Sequence, residues 1–240
     1  MHILISAHTF EELHEQLPSL NGVVPPHPQP RGDTPEIYSI ARLLGTMPLS
    51  DADFPLQLAK TERPDFALQL GPRSIGIEHT EAVAENAVHE RILRASQPGA
   101  GVYLVRPASV GEPRKSSKTL REEIAQDRLP PPMMGDSVER NWAEAMEHFI
   151  GKKAASAQKP GYAVHDEQWL VVYDNWQALA LERQHALALL QGRLAARDPF
   201  AIFERIFILT GALLVELARG GLLLHRLDRR RPLRAPAAPL

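Results

Sequence analysis

Two stretches with a period of two lie in the first third of the chain. In "DFALQL" (65–70) Phe66, Leu68 and Leu70 share one face, and Asp65, Ala67 and Gln69 the other. In "SIGIEHT" (74–80) Ile75, Ile77 and His79 alternate with Gly76, Glu78 and Thr80. Successive side chains of a strand point to opposite faces, so both stretches read as strands with one apolar face. "GPRS" (71–74) can turn the chain between them. Burying both apolar faces together predicts an antiparallel hairpin with Leu70 opposite Ile75, Ala67 opposite Glu78 and Asp65 opposite Thr80.

Helical spacing appears on either side. Thr34-Pro35-Glu36 is a start signal, with Ile37, Ile40, Ala41 and Leu44 following at helical intervals. "EAVAENAVHERILRA" (81–95) predicts a helix and "GVYLVRP" (101–107) a third strand. "SVERNWAEAMEHFIGKKAA" (137–155) is a second long helix with Trp142, Met146 and Phe149 on one stripe. It leads to "QWLVVYDNW" (168–176), an apolar run of the kind found in strands buried on both faces. A further helix, "ALALERQHALALLQGRL" (178–194), precedes "FERIFIL", "ALLVEL" and "LLLHRL", three short runs separated by Thr-Gly and Gly-Gly turns. The expected class is mixed α/β.

Proline sets the divisions. "VVPPHPQPRGDTP" (23–35) suits neither a helix nor a central strand, and "LPPPMMGD" (129–136) marks another break. These predict an N-terminal extension with a proline-rich linker (1–33), a core (34–178), a C-terminal helix with short strands (179–227) and a basic, proline-rich tail (228–240). Cysteine is absent, which excludes disulfides, thiol nucleophiles and thiolate zinc sites. The start lacks a basic, apolar signal pattern, and Glu216 interrupts "IFILTGALLVEL" before it could span a bilayer, so the expectation is a soluble, cytoplasmic protein without a membrane partner. A net charge of −2 provides no long-range field for nucleic acid, so any such binding must be local.

The hairpin carries the candidate chemistry. In the predicted register Asp65 and Glu78 are diagonal neighbours about 7 Å apart at the backbone. Two converging carboxylates need a proton or a cation between them, and an oxygen-rich site of this kind suits Mg²⁺ or Mn²⁺. The plainer alternative is a solvated sheet face, which shows polar side chains by default.

Pro64-Asp65-Phe66, a hairpin, then Ile77-Glu78-His79-Thr80 resembles the PD-(D/E)XK nuclease superfamily. The resemblance covers roughly residues 34–175 and implies a restriction-endonuclease-like mixed sheet flanked by helices, in the order helix, three strands, helix, strand. It further implies divalent-metal ligation by Asp65 and Glu78, hydrolysis of nucleic acid with DNA ahead of RNA, and leaves a homodimer open. The superfamily places a lysine two residues after the glutamate; here that residue is Thr80. Turnover then needs a cation from elsewhere, and without one the fold would serve as a binding or interaction module.

Lys153 is the first substitute, because it continues the Trp142, Met146, Phe149 stripe; Lys152 is the second. For either lysine the ordinary alternative is a helix C-terminal residue whose head reaches solvent. Glu36 is a candidate third metal ligand, since the superfamily often supplies one from its first helix, or else routine compensation of the helix dipole. Other patterns are weak. His79 falls on the apolar face and reads as a hydrogen-bonded core histidine, and no H-E-x-x-H, Walker loop, G-x-G-x-x-G or G-x-S-x-G occurs. Lys115, Lys118 and Arg121 have acidic neighbours that favour a solvated face, while Trp142, Trp169 and Trp176 read as core or rim.

Overall fold

The computed structural model of the protein describes residues 2–20, 34–96, 107–126 and 134–227. The expected strand at 101–107, apart from Pro107, lies outside the described residues, as do residues 23–33 of the linker and the tail 228–240. Eight strands form one mixed sheet in chain order: β1 (His2–Ala7), β2 (Leu56–Lys60), β3 (Phe66–Leu70), β4 (Arg73–Val83), β5 (Glu167–Asn175), β6 (Arg205–Thr210), β7 (Leu213–Ala218) and β8 (Gly221–Arg226). The described helices are α1 (Phe10–Leu20), α2 (Thr34–Leu44), α3 (Glu85–Ala95), α4 (Ser117–Gln126), α5 (Ser137–Ala157) and α6 (Arg183–Arg197). The protein is therefore α/β, and β1 and β6–β8 belong to the same sheet as the central hairpin.

The pairs β1–β2, β2–β3, β3–β4, β6–β7 and β7–β8 are antiparallel, whereas β5 and β6 are parallel with α6 in the connection between them. Parallel strands need such a crossover. Trp169, Leu170, Val171 and Val172 are all buried, as the unbroken apolar run of β5 requires for a strand covered on both faces.

The described residues form two compact units. One contains the described residues of 2–81, 150–174 and 198–227, hence the sheet, α1, α2 and the last turns of α5. Its core joins alternate residues of the strands (Leu56 and Leu58, Phe66 and Leu68, Ile75 and Ile77, Trp169 and Val171) to Leu13 and Leu17 of α1 and Ile40 and Leu44 of α2. Each side chain of this size stabilises the fold by roughly 1.5–3 kcal/mol when fully buried. The other unit contains the described residues of 82–149 and 175–197. There Leu93, Leu120 and Ile124 cluster, Trp142 is fully buried, and the Glu139 carboxylate accepts the Glu182 N–H at 2.8 Å just before α6. Lys115 pairs with Glu112 and Glu123, and Lys118 and Arg121 are exposed, as on a solvated helix face.

Two strands and a helix lie outside the sequence expectation. "LQLAK" and "HILISA" offer too few alternations for a period to register, and Pro18 inside α1 argues against a helix. A capping signal was nevertheless present in Thr9-Phe10-Glu11-Glu12: the Glu12 N–H donates to Thr9 Oγ1 at 3.3 Å, and the Glu12 carboxylate accepts the His8 N–H at 2.7 Å.

The hairpin register differs from the expected one by two residues. Phe66 pairs with Ile77, Leu68 with Ile75 and Leu70 with Arg73, so the loop is Gly71-Pro72 alone. Gly71 takes φ +53°, and a Cβ there would lie 2.5 Å from the Ala52 carbonyl oxygen. Only glycine supplies both the left-handed backbone and the close approach. Arg73 is held in the strand by ion pairs to Asp53 at 2.7 Å and Glu167 at 3.0 Å. A slip of two keeps every side chain on its face, so burial alone could not choose between the two registers.

Candidate active site

The observed register brings the two acids closer than the expected one. Continuing the β3–β4 ladder by one pair beyond Phe66 and Ile77 sets Asp65 across from Glu78, on the face opposite α1 and α2. The backbone confirms the juxtaposition: the His79 N–H donates to Asp65 Oδ2 at 2.7 Å. Glu78 lies on β4 with 3% of its side chain exposed, and Asp65, just before β3, keeps 21%.

α5 delivers a cation to both. Lys153 Nζ is 2.5 Å from Glu78 Oε2 and 3.1 Å from Asp65 Oδ2, with 24% of its side chain exposed. The stripe that buries Trp142 and Met146 carries on through Ile150 and the largely covered Ala154, so the same helix face aims Lys153 at the sheet. Lys152, one residue away and thus about 100° round the helix, is exposed. The cation beside the two acids thus comes from α5, not from β4, where Thr80 is uncharged.

The electrostatics follow from this geometry. Burial, foremost, and the neighbouring Asp65 charge hold the Glu78 carboxyl above its usual range, against the opposing effect of hydrogen bonds from Lys153 and the Tyr162 hydroxyl. Burial alone would depress Lys153, but its bond to Glu78 and the two negative charges prevail and keep it above its usual value. Lys153 is charged at neutral pH.

His79 behaves as a core histidine. Its Nε2 is 3.1 Å from Ser39 Oγ, whose own proton goes to the Pro35 carbonyl at 2.7 Å, so Nε2–H is the donor. Burial, with help from Lys153 and Lys60, pushes its pKa down to about 3. Glu36 is not brought into the cluster: its carboxylate is ion-paired to Lys60, whose ammonium lies 4.4 Å from the centre of the Phe66 ring. Phe66 faces the core shared with α2, whereas Asp65 and Glu78 face away from it.

Sequence reasoning missed three neighbours of the pair. The segment after α5 folds back so that the Tyr162 hydroxyl reaches Glu78, and Ala163 N–H donates to the Arg63 carbonyl at 3.2 Å. His165 Nδ1 lies 2.6 Å from Ser74 Oγ. His165 and Gln168 pack directly on Gly76, where a Cβ would come within 2.8 Å of His165 Cδ2 and 2.4 Å of Gln168 Oε1. The glycine between Ser74 and Glu78 is thus the one signal that something lies flat on this face. No family model matches the chain, and no curated protein or solved structure is significantly similar to it.

Among the described residues no group of three or more histidines, aspartates and glutamates is arranged to hold a metal. Two carboxylates nevertheless suffice for Mg²⁺, which is commonly bound by one or two side chains and completed by water and phosphate oxygens. The oxygen donors of Asp65 and Glu78 are of the type that suits a hard dication.

Proposed function

We propose that the protein is a divalent-metal-dependent phosphodiesterase acting on nucleic acid, DNA ahead of RNA, with Asp65, Glu78 and Lys153 as its catalytic group. The observation that carries this reading is the Lys153 ammonium, 2.5 Å from Glu78 and 3.1 Å from Asp65. It stands where the resemblance to PD-(D/E)XK nucleases calls for a lysine and Thr80 cannot provide one. The run α2, β2, β3, β4, then helices and β5 also follows the helix, three strands, helix, strand order of a restriction-endonuclease-like core, with "LQLAK" as the first of the three strands.

Asp65 and Glu78 would hold Mg²⁺ or Mn²⁺, which when bound supplies an activated water and polarises the phosphoryl oxygens. The chain's own contribution is positional. The His79 amide fixes the Asp65 carboxylate, Tyr162 orients Glu78, and Lys153 offsets negative charge gathering on the phosphate while orienting the attacking oxygen. The near-complete burial of Glu78 favours the rival reading, a fold of this kind that binds nucleic acid or protein without turning it over.

Turnover separates the two. The purified protein should cut plasmid or linear DNA with Mn²⁺ or Mg²⁺ and leave it intact in EDTA. If neither metal supports cleavage of duplex DNA, single-stranded DNA or RNA, hydrolysis is excluded and the binding module remains.

A further inference from the structure

We propose that Arg63 and Lys159 form the surface that receives the phosphodiester backbone beside the carboxylate pair, an inference that rests on the nucleolytic reading and extends it to substrate binding. In the sheet-bearing unit most of the other described cations are committed, the exceptions being Lys152 on α5 and Arg226 on the edge strand β8, both exposed and without an ion pair among the described residues. Lys60 pairs with Glu36, Arg73 with Asp53 and Glu167, Lys153 with Asp65 and Glu78, Arg205 with Glu216 and Arg219 with Asp198. Arg42 lies over the Tyr38 ring. Arg63 and Lys159 are exposed, and neither has a carboxylate within ion-pairing distance among the described residues. Residues 149–165 include Lys152, Lys153 and Lys159 but no aspartate or glutamate.

Both residues border the site. Arg63 precedes Asp65 by two residues, and Lys159 precedes Tyr162, which reaches Glu78, by three. The two segments are in contact, because Arg63 accepts the Ala163 N–H and its Nη1 lies 3.6 Å from where a Cβ of Gly161 would stand. Gly161, at φ +98°, makes the turn that a residue with a side chain would resist. Two uncompensated cations therefore rim a pair of acids whose own counter-ion is already in place. That arrangement suits a polyanion, whose phosphates would bind Arg63 and Lys159 while one of them enters the site. With a net charge of −2 the chain has no general field to substitute for such local contacts.

Salt dependence tests this directly, because each cation–phosphate contact releases counter-ions and adds about 0.9 to the slope of log K against log salt on duplex DNA, or about 0.7 on single strands. Anisotropy of labelled duplex and single-stranded DNA would be followed in Ca²⁺ with the full chain and with the Arg63→Ala/Lys159→Ala double variant. The double variant should bind roughly 10-fold or more weakly at 0.1 M salt, with a slope shallower by about 2 on duplex or about 1.4 on single strands. The strand form that shows the loss identifies the substrate. Removing the same charge from α4, with Lys118→Ala/Arg121→Ala, should leave the slope at the parent value. An unchanged slope in the Arg63/Lys159 variant overturns this surface, and parental cleavage would still support the nuclease. A parent that binds neither DNA form, nor labelled RNA in the same assay, overturns both, whereas the expected slope without any cleavage supports the surface and removes only the catalysis.

Discussion

Lys153→Met should lower metal-dependent cleavage by roughly 10²-fold or more while tightening Mn²⁺ binding rather than weakening it. The two effects have opposite signs because the ammonium serves opposite ends. In the proposed reaction it would offset charge that develops on the phosphate, but in the resting protein it lies against the two carboxylates, at 2.5 and 3.1 Å, where it would repel an incoming dication. Cleavage kinetics and an Mn²⁺ titration on the same preparation read both. Lys152→Met, at an exposed position, should match the parent in each.

The same substitution should have a pH signature. Glu78 already has a raised pKa, and losing Lys153 raises it further. A carboxyl with a raised folded-state pKa contributes most to stability below its ordinary value of 4.5, and that contribution is lost as pH climbs through the folded value. The stability deficit of Lys153→Met should therefore be largest above neutral pH, on the order of 2 kcal/mol, and shrink toward pH 5 as Glu78 takes up a proton. A fully buried pair would cost more, but 24% of the Lys153 side chain stays exposed. His79, buried neutral, has the opposite sign: it weakens the fold as pH falls from 6.5 toward about 3. Burial, the foremost cause of its depression, acts on parent and variant alike, and although the loss of Lys153 relieves part of that depression, the difference between the two chiefly reports Glu78. A deficit independent of pH would mean that Glu78 is not the group Lys153 compensates.

Asp65→Asn and Glu78→Gln should each abolish the stabilisation that Mn²⁺ confers on the parent. A ligand that binds only the folded state at 100 times its Kd stabilises by about 2.7 kcal/mol, a shift of several degrees in Tm. Asp65 and Glu78 face one another across the hairpin, with Asp65 oriented by the His79 amide, so neither neutral amide can replace its carboxylate as a ligand. Thermal unfolding with and without Mn²⁺ measures this, and a shift that survives in both variants would place the metal elsewhere.

The side of the sheet on which each residue falls was legible in the sequence; its exact partner was not. Alternation in "DFALQL" and "SIGIEHT" correctly put Asp65 and Glu78 on one face and Phe66, Leu68, Ile75 and Ile77 on the other. The two-residue slip arose because a period of two repeats every second residue, and the deciding facts were a positive φ at Gly71 and the ion pairs of Arg73 with Asp53 and Glu167. Lys153 was legible for a related reason: a helical stripe ending in lysine points that lysine where its apolar predecessors point. The α2 start at Thr34-Pro35 and the doubly buried β5 were equally plain.

Non-local contacts were not legible. Tyr162 lies in a loop with no periodicity, and nothing within five residues of it announces a carboxylate more than eighty positions away. Glu36 could equally be a ligand, a dipole residue or an ion-pair partner, and the choice fell to Lys60, on a strand too short to be seen in the pattern. β1 and β2 are stabilised by the sheet they join and by α1 and α2 packed on it, which is tertiary context that local propensity does not carry.

Crystals soaked in Mn²⁺ test the central claim most directly. The site described here predicts an anomalous peak ligated by Asp65 and Glu78, with the Lys153 ammonium displaced from between the carboxylates yet still alongside the metal-bound oxygens. A map without a peak at that position, in which Lys153 still bridges both acids at saturating Mn²⁺, would contradict it.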